Sequence, residues 1–109
     1  MHTTHTTESN MANAAIANTI LDQLGGAGRL AAMVNAKNFV YDGASLAFKF
    51  SNRRGPNYCK IALAHDDTYT VTLGRIVKYD LRSSSTINGI FAGDLVELFE
   101  NATGLRLSL

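Results

Sequence analysis

An amphipathic helix near the carboxyl end of the chain, placed after a run of strands, constrains the fold most. Its apolar residues recur at the spacing of one helical face: Phe91, Leu95, Leu98, Phe99 and Ala102. Gly104 follows as the residue that ends such a helix in the left-handed conformation. Such a stripe is buried against another layer of structure. The sequence therefore predicts an α+β domain in which this helix covers one face of a sheet.

A second helix is predicted near the amino end. Residues 11–24 are rich in alanine, and Ile16, Ile20 and Leu24 lie four residues apart, as they do on one face of a helix. The glycine pair at residues 25–26 ends this helix. Its apolar face is therefore available to cover the same sheet.

The other segments complete a single domain from residue 11 to residue 109. Residues 29–34 offer apolar side chains on one or two further helical turns, whereas residues 1–10 are polar and without periodicity, which predicts a disordered tail. Hydrophobic residues make up 46% of the 109 residues and charged residues 17%, a balance typical of a folded domain. The length suits one domain.

The first hairpin is predicted from an Asp-Gly pair. Asp42 and Gly43 separate two apolar segments, and this dipeptide favours a two-residue type I′ turn. Such a turn pairs Tyr41 with Ala44 and Phe39 with Leu46. The predicted register then brings the large apolar residues to one face: Phe39, Tyr41, Leu46, Phe48 and Phe50.

The second hairpin joins strands predicted over residues 58–64 and 68–77. A three-residue loop from His65 to Asp67 aligns the apolar residues, because it pairs Leu63 with Tyr69 and continues that register along both strands. Gly74 is expected to break or bend the second strand. Residues 80–88 are rich in Ser and Thr and are predicted as a loop or a frayed edge strand.

These elements predict an α+β fold: a four-stranded antiparallel sheet with the amino-terminal and carboxyl-terminal helices packed on one face. Cys59 is the one cysteine, so no internal disulfide can form, and its place on the apolar side of a strand predicts a buried structural thiol. No apolar segment reaches the roughly 18–20 residues that cross a bilayer, and the amino end lacks the pattern of a secretory signal. We therefore expect a cytoplasmic protein with no membrane partner.

No set of residues predicts catalysis, a cofactor or a metal site. His65 with Asp66 and Asp67 forms a cluster of potential ligands, but turn chemistry explains the aspartates more simply. A nucleophile, a base and an oxyanion donor cannot be assembled from the sequence. We therefore expect a protein that is not an enzyme.

One surface carries the candidate binding residues. Residues 37–82 contain eight basic and four acidic residues, and the face of the sheet opposite the helices is expected to be open and partly basic. The candidate residues on this face and in the loop at residues 51–57 are Lys49, Arg53, Arg54, Tyr58, Lys60 and Arg75. Such a sheet face can stack a base and follow phosphates, bind a protein partner, or form a homodimer.

Four segments resemble a family of short uncharacterised proteins from phages, prophages and bacterial mobile elements. They are ANTILDQLGG (17–26), AKNFVY (36–41), DTYTV (67–71) and TGLRLSL (103–109), and the resemblance covers residues 12–109. It implies a small accessory protein in a bacterial host. The order of helix, four strands and helix is also similar in layout to single-stranded-DNA-binding domains of the Whirly type.

Two functions follow as expectations. In the first, the open sheet face and the arginine loop bind single-stranded nucleic acid. In the second, the same surface binds a host protein, as an inhibitor of a bacterial defence system of the anti-CRISPR kind would. The first is slightly favoured because the candidate surface is basic and carries an aromatic side chain.

Overall fold

The computed structural model describes residues 15–53 and 55–107. Its helices are α1 (residues 15–23), α2 (Ala27–Val34) and α3 (Leu95–Thr103), with a 3-10 turn over Ala92–Asp94. Its strands are β1 (Lys37–Asp42), β2 (Ser45–Lys49), β3 (Tyr58–Leu63), β4 (Tyr69–Val77) and β5 (Asp80–Ile90). The predicted tail at residues 1–10 lies outside the described residues. Among the described helices, none is long and apolar enough to cross a bilayer.

The strands form one antiparallel sheet in the order β1-β2-β3-β4-β5. The α+β class is confirmed, but the prediction of four strands is wrong. Residues 80–90 form a full fifth strand, which pairs with β4 through a turn at Lys78 and Tyr79. Both turn residues have positive φ, 53° and 69°. This is the conformation of a type I′ turn, but without the Asn or Gly that signals one in a sequence.

The first hairpin turns one residue later than predicted. Asp42 pairs with Ser45 and Tyr41 with Leu46, so the two loop residues are Gly43 and Ala44. Gly43 has φ 59°, which suits the first central position of a type II′ turn. Tyr41 thus pairs two residues beyond its predicted partner. Because side chains alternate with a period of two, this change leaves each side chain on its predicted face.

The second hairpin has the predicted register. Leu63 pairs with Tyr69, and the pairing continues to Cys59 and Leu73. The loop contains three residues, since the N–H of Ala64 donates to the carbonyl of Thr68 across it at 2.8 Å. The last loop residue, Asp67, has φ 65°, the left-handed residue that a loop of this length requires.

Gly74 was expected to break or bend β4. It does not break the strand, and it lies between Tyr58 of β3 and Ser84 of β5. A Cβ atom here would lie 2.6 Å from the backbone oxygen of Ser83 and from Leu81 Cδ1. The register irregularity comes after it, between Arg75 and Ile76. The glycine therefore permits close approach of β5.

One buried cluster joins the three helices to a single face of the sheet. The sheet supplies residues from β2, β3 and β4, and the rest come from α1, α2, α3 and the segments that flank these elements. The cluster includes Ile20, Leu24, Leu30, Leu46, Phe48, Phe50, Cys59, Ile61, Val71, Leu73, Leu95 and Phe99. Burying this apolar surface is the main stabilising contribution to the fold. The opposite face, which we call the outer face, is the one that carries Ala47, Lys49 and Lys60.

The carboxyl-terminal helix is shorter than its apolar stripe predicted. Phe91 precedes the 3-10 turn with an extended backbone and is 66% exposed, and Ala102 is also exposed. Only Leu95, Leu98 and Phe99 contribute to the core, where Phe99 contacts two phenylalanines of the sheet region. The glycine and aspartate after Ala92 take a tight 3-10 turn, so the α-helix starts four residues late. Its predicted end at Gly104, with φ 76°, is confirmed.

Candidate basic cleft and outer groove

Cationic side chains from separate strands and loops meet at one end of the sheet. Here β1 begins, β2 ends, β3 begins and the β4–β5 turn lies close by. The resulting depression, which we call the basic cleft, has a volume of about 650 Å³. Its side chains include Lys37, Asn38, Lys49, Arg53, Lys78 and Tyr79. No single segment of the sequence holds more than two of these residues.

Among the side chains that the structure describes, no acid neutralises the four cations of the basic cleft. No described Asp or Glu lines it. The ion pairs in the described part of the chain are Arg82 with Asp80 at 3.6 Å and Arg106 with Glu100 at 3.9 Å, and both lie outside the cleft. Lys37 and Lys49 are moreover direct cross-strand partners, and like charges in such positions destabilise a sheet. An anion in the cleft would relieve this repulsion.

Tyr79 supplies an aromatic ring at the rim of the cleft. Its side chain is 97% exposed, and the ammonium group of Lys49 lies 5.8 Å from the ring centroid, within the range of a cation–π contact. The ring is held outward by a turn whose two residues both have positive φ. Since non-glycine residues rarely adopt this conformation, the turn carries backbone strain at both residues.

The loop that carries Arg53 is held in place from two sides. The guanidinium of Arg75 donates Nη1 hydrogen bonds to the carbonyls of Asn52 at 2.9 Å and Gly55 at 2.7 Å. The amide of Asn52 donates to the carbonyls of Pro56 and Thr103, at 3.0 and 3.1 Å. The loop is thereby fixed to β4 and to the end of α3, so Arg53 projects from an ordered backbone.

Asn57 anchors the other end of this loop to β4. Its amide nitrogen donates to the carbonyl of Ile76 at 3.0 Å, and its amide oxygen accepts from the N–H of Ile76 at 2.7 Å. Ile76 pairs with Leu81 of β5, but the β3–β4 pairing ends at Tyr58 and Gly74. The amide of Asn57 therefore takes the place of a β3 backbone partner for Ile76.

A second depression, which we call the outer groove, lies on the outer face next to the basic cleft. It has a volume of about 300 Å³ and shares Asn38 and Lys49 with the cleft. Tyr58 and Lys60 line it. Burial, with a smaller effect from the neighbouring Cys59, raises the pKa of the Tyr58 phenol. The phenol is therefore neutral at neutral pH and does not repel an anion.

Five of the six predicted site residues lie in the described part of the chain, at three locations. Lys49 and Arg53 line the basic cleft, Lys49, Tyr58 and Lys60 line the outer groove, and Arg75 holds the loop carbonyls. Arg54 lies outside the described residues.

Sequence reasoning missed three charged or aromatic residues of the cleft: Lys37, Lys78 and Tyr79. Lys78 and Tyr79 were hidden because the turn that presents them lacks the usual turn residues. Lys37 was hidden because its place opposite Lys49 depends on an irregular register between Lys37 and Val40. The excess of basic residues over residues 37–82 was the one available signal.

The predicted turn cluster and thiol have structural roles. Asp66 accepts hydrogen bonds from the hydroxyl and the N–H of Thr68, at 2.6 and 3.2 Å, and the hydroxyl contact above all lowers the pKa of its carboxyl. Cys59 is fully buried, and burial raises the pKa of its thiol, so no thiolate forms at neutral pH. Within residues 15–53 and 55–107, no three His, Cys, Asp or Glu side chains gather into a metal site.

Comparisons of this chain with protein-family models, curated proteins and solved structures find no significant match.

Proposed function

We propose that this protein binds single-stranded nucleic acid through the basic cleft, as a small non-enzymatic accessory protein of a phage or mobile element. One observation carries the proposal. Lys37, Lys49, Arg53 and Lys78 line one cleft in which the described residues place no acid, although the whole chain has a net charge of only +1. A polyanion is the ligand class that complements this arrangement.

The shape and the aromatic rim favour a single strand over a duplex. Phosphates that lie among the four cations release counterions, which supplies affinity without reading sequence. The exposed ring of Tyr79 offers a surface on which an unpaired base stacks, and such stacking is common in single-strand-binding proteins. A duplex keeps its bases paired and cannot use that ring.

The test is a titration of labelled single-stranded DNA, single-stranded RNA and duplex DNA at several salt concentrations. We expect the single strands to bind more tightly and the affinity to fall steeply as salt rises. The variant Lys37→Gln/Lys78→Gln removes two cleft cations. It should reduce the slope of log affinity against log salt by about 1.4, since each phosphate contact to a single strand contributes about 0.7.

The matched control is Arg29→Gln/Arg106→Gln, which removes the same charge from exposed positions outside the cleft. It should leave most of the slope in place. If the control reduces the slope as much as the cleft variant does, the cleft is not the site. Absence of binding to every nucleic acid at low salt would contradict the proposed function.

A protein partner is the second candidate. Val40 and Tyr41 on the edge strand β1 are 55% and 49% exposed, and exposed apolar residues beside a cationic surface suit an acidic host protein. In that case a bacterial defence component would bind in a fixed ratio, with less dependence on salt. Changing Val40 to a charged residue would then weaken binding more than the cleft variant does.

A further inference from the structure

The floor of the outer groove is made of small side chains that other residues surround. Ser45 and Ala47 of β2 are 5% and 9% exposed, although their side chains lie on the outer face, away from the buried cluster. Their partly exposed neighbours Val40, Tyr58 and Lys60 also line the groove. The groove is therefore a recess built into the sheet by alternation of small and large residues.

The width of the recess follows from the strand register. Ala47 pairs with Val40 of β1 on one side and with Lys60 of β3 on the other. Two strand spacings, about 10 Å, thus separate the flanking backbones. Tyr58 lies in the next row, opposite Lys49. A floor of small side chains of this width beside an aromatic side chain fits a flat ring, and the volume of about 300 Å³ is at the small end of ligand sites.

The charges around the recess favour a ligand whose flat ring is linked to an anionic group. Of the described side chains, Lys49 and Lys60 are the charged ones that line it, and none of those that line it is a carboxylate. Lys49 also lines the basic cleft. A ligand with a flat ring and a linked phosphate can therefore occupy the recess and the cleft together, with Lys49 between its two parts.

We propose that the outer groove holds one nucleobase of the strand whose phosphates lie in the basic cleft. This inference rests on the proposed function and adds a base-dependent subsite to it. The base lies over Ala47 and against the ring of Tyr58. Only an unpaired base can enter, so the groove excludes a duplex.

The test compares a mixed-sequence single-stranded DNA with an oligonucleotide of equal length whose sugars carry no bases. Both have the same phosphates, so their affinity ratio reports the bases alone. We expect the protein to prefer the normal strand by about five- to a hundredfold, as stacking of one base implies. Ala47→Leu fills the recess from its floor and should reduce the ratio severalfold, to the part that stacking on Tyr79 supplies, while the salt slope stays unchanged.

The matched control is Ala62→Leu, the same change on the same face of the adjacent strand, at a residue that does not line the groove. It should keep the preference. Tyr58→Leu should reduce the preference while retaining an apolar wall, and thermal unfolding of each variant confirms that it folds.

Three outcomes would overturn the proposal. If the wild-type protein binds the strand without bases as tightly as the normal strand, this proposal fails and the proposed function stands. The same holds if Ala47→Leu keeps the full preference. If neither oligonucleotide binds even at low salt, the proposed function and this inference fail together.

Discussion

Arg75 was predicted from the sequence as a binding residue, but its side chain forms hydrogen bonds with backbone carbonyls of the chain itself. Its guanidinium donates to the carbonyls of Asn52 and Gly55, so the loop next to the cleft depends on it. Charge-assisted hydrogen bonds of this kind are stronger than neutral ones. Arg75 is thus a positioning residue, and its removal should disturb the loop that carries Arg53.

We expect Arg75→Gln to lower the free energy of unfolding by about 1.5–3 kcal/mol, because two carbonyls lose a charged donor. Chemical denaturation of the variant measures this. Arg106→Gln is the comparison, since its exposed ion pair with Glu100 at 3.9 Å should contribute less than about 1 kcal/mol. An equally small effect of both changes would show that Arg75 does not hold the loop.

Cys59 offers a second test at the scale of one residue. The side chain is fully buried and burial raises the pKa of the thiol, so a thiol reagent meets neither an accessible nor an ionised sulfur. We expect the native protein to react only as fast as it unfolds, and the denatured protein to react at once. Prompt modification of the native thiol at neutral pH would contradict the burial of β3.

Among the elements, the β4–β5 hairpin has a strained turn and a strand, β5, that is mostly exposed to solvent. Its turn residues Lys78 and Tyr79 both have left-handed φ values, and most of β5 is exposed to solvent on both faces. A turn of Asn and Gly, which adopt positive φ more readily, would be more stable. The strain at this turn is consistent with a role for its two side chains in binding.

The variant Lys78→Asn/Tyr79→Gly replaces this turn with the dipeptide that type I′ turns prefer. We expect it to raise the free energy of unfolding by about 1 kcal/mol, because left-handed backbone strain is relieved. It should also weaken binding of single strands, since a cation and a ring leave the cleft. Lys78→Gln alone should weaken binding without the gain in stability. A loss of stability in the double variant would show that the turn is not strained.

The β3–β4 hairpin marks what sequence patterns predict well. Its register is confirmed because Ile61 and Val71 have alternating apolar neighbours that only one loop length can align. The β4–β5 hairpin was not predicted because β5 carries no apolar alternation and the turn before it carries no turn signal. Side chains that are exposed on both faces leave no periodic pattern to find.

At the scale of the whole molecule, the buried cluster links all three helices to one sheet face. Phe99 contributes to it at the centre of an aromatic group: its ring centroid lies 5.0 Å from that of Phe50 and 6.2 Å from that of Phe48. The outer face contributes little to this cluster. The residues that stabilise the fold and those proposed to bind are therefore largely separate.

We expect Phe99→Ala to lower the free energy of unfolding by about 3–5 kcal/mol, because it leaves a cavity among the other rings. Glu97→Ala, on the exposed side of the same helix, should change it by no more than about 0.5 kcal/mol. Denaturant titrations of both variants measure the difference. Similar small effects would mean that α3 is not packed on the sheet.

The candidate site was harder to predict than the fold because its residues come from distant segments of the chain. The apolar core follows from local periodicity, which each segment carries by itself. The cleft instead needs Lys37, Arg53 and Lys78 to meet from three distant segments, and their meeting depends on register irregularities and on an unusual turn. Lys49 was predicted because the alternation of β2 places it on the outer face.

The uneven placement of charge also governs how this protein behaves on a charged resin. A chain with a net charge of +1 loses that charge in slightly alkaline buffer, and a body of uniform charge would then pass through an ion-exchange column unretained. Four cations concentrated in one cleft still form a positively charged patch that can contact the resin. The protein should therefore adsorb to a negatively charged matrix even where its electrophoretic mobility is zero, oriented with that face against the beads.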